Sequence, residues 1–127
     1  MKHLIYIVFL LSTVSTMANN VEQIKNAIKN GDGVALATYF DNSVEVCVLD
    51  TEDMYTSSEA KSVIIDFFAK HKPKSLSQIH KGDSKAKDAQ YLTGTMIDQS
   101  GVSFRLYIYL KNVNGKLLIQ EMRFDKE

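Results

Sequence analysis

The chain lacks most of the features that would name a chemistry at once. It has one cysteine, Cys47, and one proline, Pro73, and its 15 basic and 15 acidic side chains cancel. A single cysteine excludes an intramolecular disulfide, so apolar burial alone must hold the fold. Cys47 lies in the strand-like run Val44–Leu49 and reads as a small buried hydrophobe. A nucleophile would need a neighbouring base and an exposed thiolate, and no such pair is local to it. Without a basic surplus the chain offers no cationic face for phosphates, which argues against nucleic acid as a partner. Its charges are interspersed, as on an ordinary solvated surface. Outside the N-terminus the histidines are His71 and His80, and no Asp or Glu joins them at ligand spacing, so neither a metal nor a cofactor is expected. No internal repeat, low-complexity tract or linker interrupts the chain.

What is present begins with a distinct N-terminal segment. Lys2 and His3 precede the apolar run Leu4–Leu11, and Thr16-Met17-Ala18 ends it with small residues two apart. That is the pattern of a secretory signal peptide, residues 1–18, cleaved after Ala18. The run is too short for a bilayer span, which takes about 20 apolar residues. No cysteine stands at the cleavage point, so no lipid anchor is expected. Removing 18 of 127 residues leaves 109, with 14 basic against 15 acidic side chains because Lys2 goes with the leader. That length suits one domain, residues 19–127, periplasmic or secreted and without a stable membrane anchor.

Val21, Ile24, Ala27 and Ile28 recur at helical spacing and stop at Asn30-Gly31, where glycine suits the position after a helix end. Asp32 caps a second short helix carrying Val34, Leu36, Ala37 and Phe40. Val44–Leu49 is β-branched and short, hence a strand, and Asp50–Tyr55 turns out of it through at most a brief extended piece. Thr56-Ser57-Ser58-Glu59 fits a capping box. Behind it, Ala60, Val63, Ile64, Phe67, Phe68 and His71 form one apolar stripe that Pro73 terminates. Leu76–Gly82 is a weaker strand, and 83–88 a charged loop.

From Gln90 to Phe124 the sequence reads as a three-strand meander. With Gln99-Ser100-Gly101 as a three-residue loop, Met96 faces Phe104, Gly94 faces Leu106 and Leu92 faces Ile108. With Val113-Asn114-Gly115 treated likewise, Leu110 faces Leu118, Ile108 faces Gln120, Leu106 faces Met122 and Phe104 faces Phe124. The rival for the second loop is a two-residue Asn-Gly turn. It would carry Glu121 and Arg123 onto the core face, since a one-residue slip reverses a strand. Burial therefore selects the longer loop. The order of elements predicts an α+β domain with N-terminal helices packed on a curved antiparallel sheet.

Several segments, in this order, resemble a known group. They are Ile28-Lys29-Asn30-Gly31-Asp32 running to Leu36-Ala37-Thr38-Tyr39-Phe40, then Tyr55 to Ala60, Phe67-Phe68 before Pro73, His80-Lys81-Gly82-Asp83, and Tyr91-Leu92-Thr93-Gly94. The chain resembles the nuclear-transport-factor-2-like (cystatin-like) superfamily. Within it, the nearest likeness is to an uncharacterised exported Bacteroidota family, domain of unknown function 4783. The resemblance implies a cone in which helices close over a bent sheet and leave a pocket at the open end. It also implies frequent dimerisation through the sheet. It implies no reaction, because the superfamily holds enzymes and pure binders alike.

Four residues are candidates to line such a pocket. His80 is titratable and sits on a strand bordering the cone. The register above places Gln120 among Leu118, Met122, Ile108 and Leu106, where a buried amide must bond to backbone or a ligand. Tyr39 with Asp41, and Tyr55 with Asp53, supply the tyrosine and acid of an isomerase-like site. His71, at a helix C-terminus, is explained by the helix dipole. The other sheet face carries Tyr91, Thr93, Thr95, Ile97, Arg105, Tyr107, Tyr109, Leu117 and Ile119. Of these, Tyr91, Arg105, Tyr107 and Tyr109 are the candidate homodimer contacts. The function expected is a non-enzymatic exported domain binding a small apolar ligand or a protein. The alternatives are a cofactor-free isomerase- or dehydratase-like enzyme in the cone, and a structural homodimer with a filled cone.

Overall fold

A computed structural model describes residues 20–85 and 88–127; the expected leader, 1–18, lies outside the described residues. The elements are α1 (Val21–Lys29), α2 (Gly33–Ala37), β1 (Phe40–Val48), β2 (Thr51–Thr56), α3 (Ser57–Lys70), β3 (Pro73–Asp83), β4 (Ala89–Asp98), β5 (Ser103–Val113) and β6 (Lys116–Lys126). Six strands form one curved sheet in the order β2-β1-β6-β5-β4-β3. All neighbours are antiparallel except β1 and β6, which run parallel. The three helices cover one face, and their apolar stripes join the inward strand residues in one contiguous core.

The local signals act as their chemistry requires. The Asp32 carboxylate accepts from the Ala35 N–H at 3.0 Å and starts α2. At α3, Thr56 Oγ1 accepts from the Glu59 N–H, and Glu59 returns the bond to the Thr56 N–H. Phe40 does not extend α2. It opens β1 and is buried, because the helix stops at Ala37. The brief extended piece after Leu49 is the full edge strand β2. Asn20 ties the start of α1 to β6: its amide donates to the Leu117 carbonyl at 2.6 Å and accepts from the Leu117 N–H.

The first hairpin has the expected register, Met96 with Phe104, Gly94 with Leu106 and Leu92 with Ile108. Asp98 builds its loop by accepting from the Ser100 and Val102 N–H groups. The second hairpin departs from expectation. Val113 pairs with Lys116 across a two-residue turn, in which Asn114 and Gly115 both have positive φ, 53° and 85°. Such a turn matches the twist of the flanking strands. The objection to it was that Glu121 and Arg123 would enter the core. Gln120 removes the objection by forming a bulge: Leu110 pairs with Ile119, then Tyr109 with Glu121 and Ile108 with Met122. Leu117 and Ile119 before the bulge, and Met122 and Phe124 after it, are all buried. Leu117 and Ile119 thus belong to the core face, not the outer one, and Ile108 faces Met122 rather than Gln120.

Candidate functional site

The resemblance implies a hollow under the helices, so an interior ligand site would lie among the core side chains. Ile24, Ile28, Leu36, Ile64, Met96, Phe104, Ile108, Leu110, Ile119, Met122 and Phe124 are each 0% exposed. A void able to hold water would leave accessible surface on its walls, and these side chains have none. Four rings meet in this interior. Phe67 lies 4.6 Å from Phe124 and 5.4 Å from Phe104, and Phe68 packs edge-on to Phe124.

The cone is also latched at one end. His71 packs against Phe67 and Phe104, and its Nδ1 lies 2.9 Å from Asp98 Oδ2. Asp98 is 2% exposed. The His71 hydrogen bond, aided by the Val102 and Ser100 N–H groups, holds its carboxyl below the usual aspartate value against the opposing effect of burial. An ionised carboxylate only accepts, so His71 carries its proton on Nδ1. The helix dipole therefore accounts for only part of the role of His71.

The four pocket candidates do not converge. Tyr55 is half-buried on edge strand β2, opposite Val44, and packs against the core. Tyr39 also packs on the core, with Lys116 Nζ 5.3 Å from its ring centre, and borders a hollow of about 380 Å³ beside α1. His80 is exposed on β3. It borders a shallow hollow of about 310 Å³ with Gln78, Thr93, Thr95 and Arg105. A β3 bulge between Ser77 and His80, with Gln78 at φ 51°, shapes that hollow. Gln120 lines a third hollow, about 490 Å³, with Asp41, Glu45, Met54, Tyr109 and Glu121. Its Nε2 donates to Asp41 Oδ2 at 2.9 Å. The last two hollows both open on the sheet face away from the helices.

That outer face brings the four candidate dimer contacts together. Tyr91 pairs with Tyr109, Thr93 with Tyr107 and Thr95 with Arg105. The Tyr91 and Tyr107 rings stack 6.4 Å apart. Tyr91 can lie over the edge strand because Gly82 has no side chain there; a Cβ would come within 2.4 Å of the ring. Burial, then the Glu121 charge, pushes the Tyr107 phenol above its ordinary value. On β1, β2 and β6 the face is acidic. Arg123 is ringed by Glu52 at 3.4 Å, Asp125 at 3.7 Å and Glu121 at 3.9 Å. The Glu45 carboxyl is raised, first by its hydrogen bond to Glu52, then by burial and the Glu121 charge. Buried Cys47 belongs to this row, and burial raises its thiol.

The sequence singled out neither Asp98 nor Gln90. Asp98 could have been found from its place before a glycine-bearing loop. Gln90 Oε1 is buried without a hydrogen bond among the described residues, and no sequence signal marks it. Among the described residues, no group of three or more His, Cys, Asp or Glu could hold a metal ion. No described helix is long and apolar enough to cross a membrane.

The architecture is of the nuclear-transport-factor-2-like class. A designed protein of that kind superimposes with a TM-score of 0.63 at 16% identity, covering 82% of this chain and 91% of its own. The profile of the family described as "Domain of unknown function (DUF4783)" matches residues 21–125, and the chain belongs to that family. A family member from Bacteroides uniformis aligns with a TM-score of 0.78 at 23% identity over 86% of this chain and 98% of its own. One from Bacteroides ovatus gives 0.75 at 25% over 82% and 92%. No curated protein matches the chain. The family is one of unknown function, and these likenesses carry fold rather than activity.

Proposed function

We propose that this chain is an exported, non-enzymatic protein-binding domain that works from the open face of its sheet, where it docks a second copy of itself. The closed cone carries this reading: side chains that would line an interior ligand site have no accessible surface. The filled interior then serves as a rigid scaffold, and the working surface is the face the helices leave bare. Tyr91, Tyr107, Tyr109 and Arg105 lie together there, and tyrosine and arginine are the residue types that dominate association surfaces. The N-terminal leader pattern supports export.

The enzymatic alternative has its best footing in the hollow that sets the carboxylates of Asp41, Glu45 and Glu121 beside Tyr109. That hollow is shallow and open to water, whereas acid–base catalysis of this kind works in a water-excluding site. Native mass spectrometry of residues 19–127 after gentle extraction tests the proposal. The expected result is a species of twice the chain mass with no small-molecule adduct. A monomer carrying an apolar adduct would overturn it.

A further inference from the structure

We propose that the hollow at the β3 margin of the open face is a binding site for a phosphate-type oxyanion, held by the Arg105 guanidinium with the side chains of Gln78, His80, Thr93 and Thr95. This goes beyond the docking reading above and does not rest on it.

A bulge builds the site. In an unbroken strand residues two apart share a face, so Ser77, opposite Thr95, would be followed outward by Ile79 and Lys81, and His80 would point the other way. Between Ser77 and His80 the register slips, and His80 comes opposite Thr93 on the outer face, while Ile79 packs on the core. The chain closes on Gly94 there, whose Cβ would stand 3.3 Å from the Ser77 carbonyl. Gln78 takes a φ of 51° to do this. Among the described non-glycine residues of positive φ it lies inside a strand, whereas Leu49, Asp50 and Asn114 lie between strands. A bulge can re-aim a side chain, and a strained residue that the surrounding structure holds in place is a mark of functional positions.

Each of the five side chains can donate a hydrogen bond, and no carboxylate lines the hollow. They come from three neighbouring strands around about 310 Å³, at the small end of the roughly 300–1,000 Å³ of ligand sites. The acids nearest Arg105 are committed elsewhere or hold only one of its nitrogens. Glu127 lies 3.6 Å from Nε and is itself tied to Ser103 Oγ. Asp125, the cross-strand partner of Arg105, turns toward Arg123 and Cys47. That leaves the two terminal nitrogens of the guanidinium for a ligand. A planar carboxylate is satisfied by such a fork alone, whereas donors arriving from three strands suit the several oxygens of a tetrahedral group. One arginine suits a single phosphate, not the repeating charges of a nucleic acid.

Amide NMR on residues 19–127, titrated with inorganic phosphate at an ionic strength held by chloride, tests the site. Saturable shifts are expected in the amides of Gln78 to His80, Thr93 to Thr95 and Arg105, with a Kd of about 1 mM or below. Arg105→Gln, at an exposed position, should raise Kd at least tenfold, and Thr95→Val, which keeps the β-branched shape, about threefold, both with native circular dichroism. Lys81→Gln makes the same charge change opposite Leu92, on the other side of β3, and should leave Kd within twofold. Acetate should bind at least tenfold more weakly. Glycerol 3-phosphate in solution and phosphatidic acid in vesicles separate two sources of the group, and binding of either that Arg105→Gln weakens supports the site. Shifts that do not saturate, equal losses in Arg105→Gln and Lys81→Gln, or parity of acetate with phosphate overturn the inference and leave the docking reading standing.

Discussion

If the cone is filled, carving into it must be expensive. Phe124→Ala is the sharpest cut, because the ring is fully buried, with the tilted ring of Phe67 against it and Phe68 packed edge-on. Losing roughly 100 Å² of apolar surface at about 25 cal/mol per Å² costs about 2.5 kcal/mol. A void that collapses only partly adds about 1–2 kcal/mol at ~24 cal/mol per Å³. The expected loss is therefore about 4 kcal/mol, a large share of the 5–15 kcal/mol typical of a domain. Urea unfolding followed by circular dichroism would measure it, best in a Tyr107→Glu background so that association does not enter. With a slope of about 1.5 kcal/mol per M, the midpoint should fall by roughly 2–3 M at unchanged slope. Phe124→Leu, which conserves more volume, should lose much less. A loss below about 1.5 kcal/mol for the alanine variant would mean that the ring borders space already present, and the filled-cone argument would fail.

Three further outcomes follow from single features. Deleting Gln120 removes the bulge and leaves Leu117, Ile119, Met122 and Phe124 in unbroken alternation on the core face, so the deletion variant should still fold, and its failure to do so would contradict the bulge; Gln120→Ala, which keeps the count and loses the bond to Asp41, should give a native circular dichroism spectrum. Because the native Asp98 pKa is depressed, its ionised form stabilises the fold above the ordinary aspartate pKa, and that contribution is lost as pH falls through the native value. Asp98→Asn should accordingly lower Tm at pH 7, with the gap from wild type closing as pH falls below the ordinary aspartate pKa of about 4; a gap that stays constant with pH would contradict the latch. Cys47, 3% exposed with its thiol raised by burial, should resist Ellman's reagent in the folded protein and react promptly in urea.

The sequence was most legible where one local rule decided the outcome. The capping box at Thr56, the α3 stripe and the Asp98 loop each had a single solution, and the chain adopts it. The β5–β6 hairpin was misread because two rules conflicted: Asn114-Gly115 demands a two-residue turn, while the core demands Met122 and Phe124 inside. The protein satisfies both by adding one residue. Gln120 stood out as a misfit for that reason, although it is the bulge rather than a buried amide. Phe40 was ambiguous because it lies at helical distance from Leu36 and also at strand spacing from Val44. The parallel pairing of β1 with β6 joins segments some 75 residues apart in sequence, which no local pattern reports. His71 could be weighed only alone, since its partner is 27 residues away. The candidate pocket residues scattered because the resemblance supplied a hollow cone. Phe67, Phe68, Phe104 and Phe124 were each visible in the sequence, but only the fold shows that they meet in its centre.

The claim that the open face, not the cone, is the working surface is tested most directly by sedimentation velocity on residues 19–127 and its Tyr107→Glu variant. Tyr107 stacks with Tyr91 at the centre of that face, so a carboxylate there would be buried against its own copy in any face-to-face pair. The account predicts a dimer for the wild type at micromolar concentration and a monomer of unchanged circular dichroism for the variant. A wild type that sediments as a monomer throughout, or a variant that still dimerises, would contradict it.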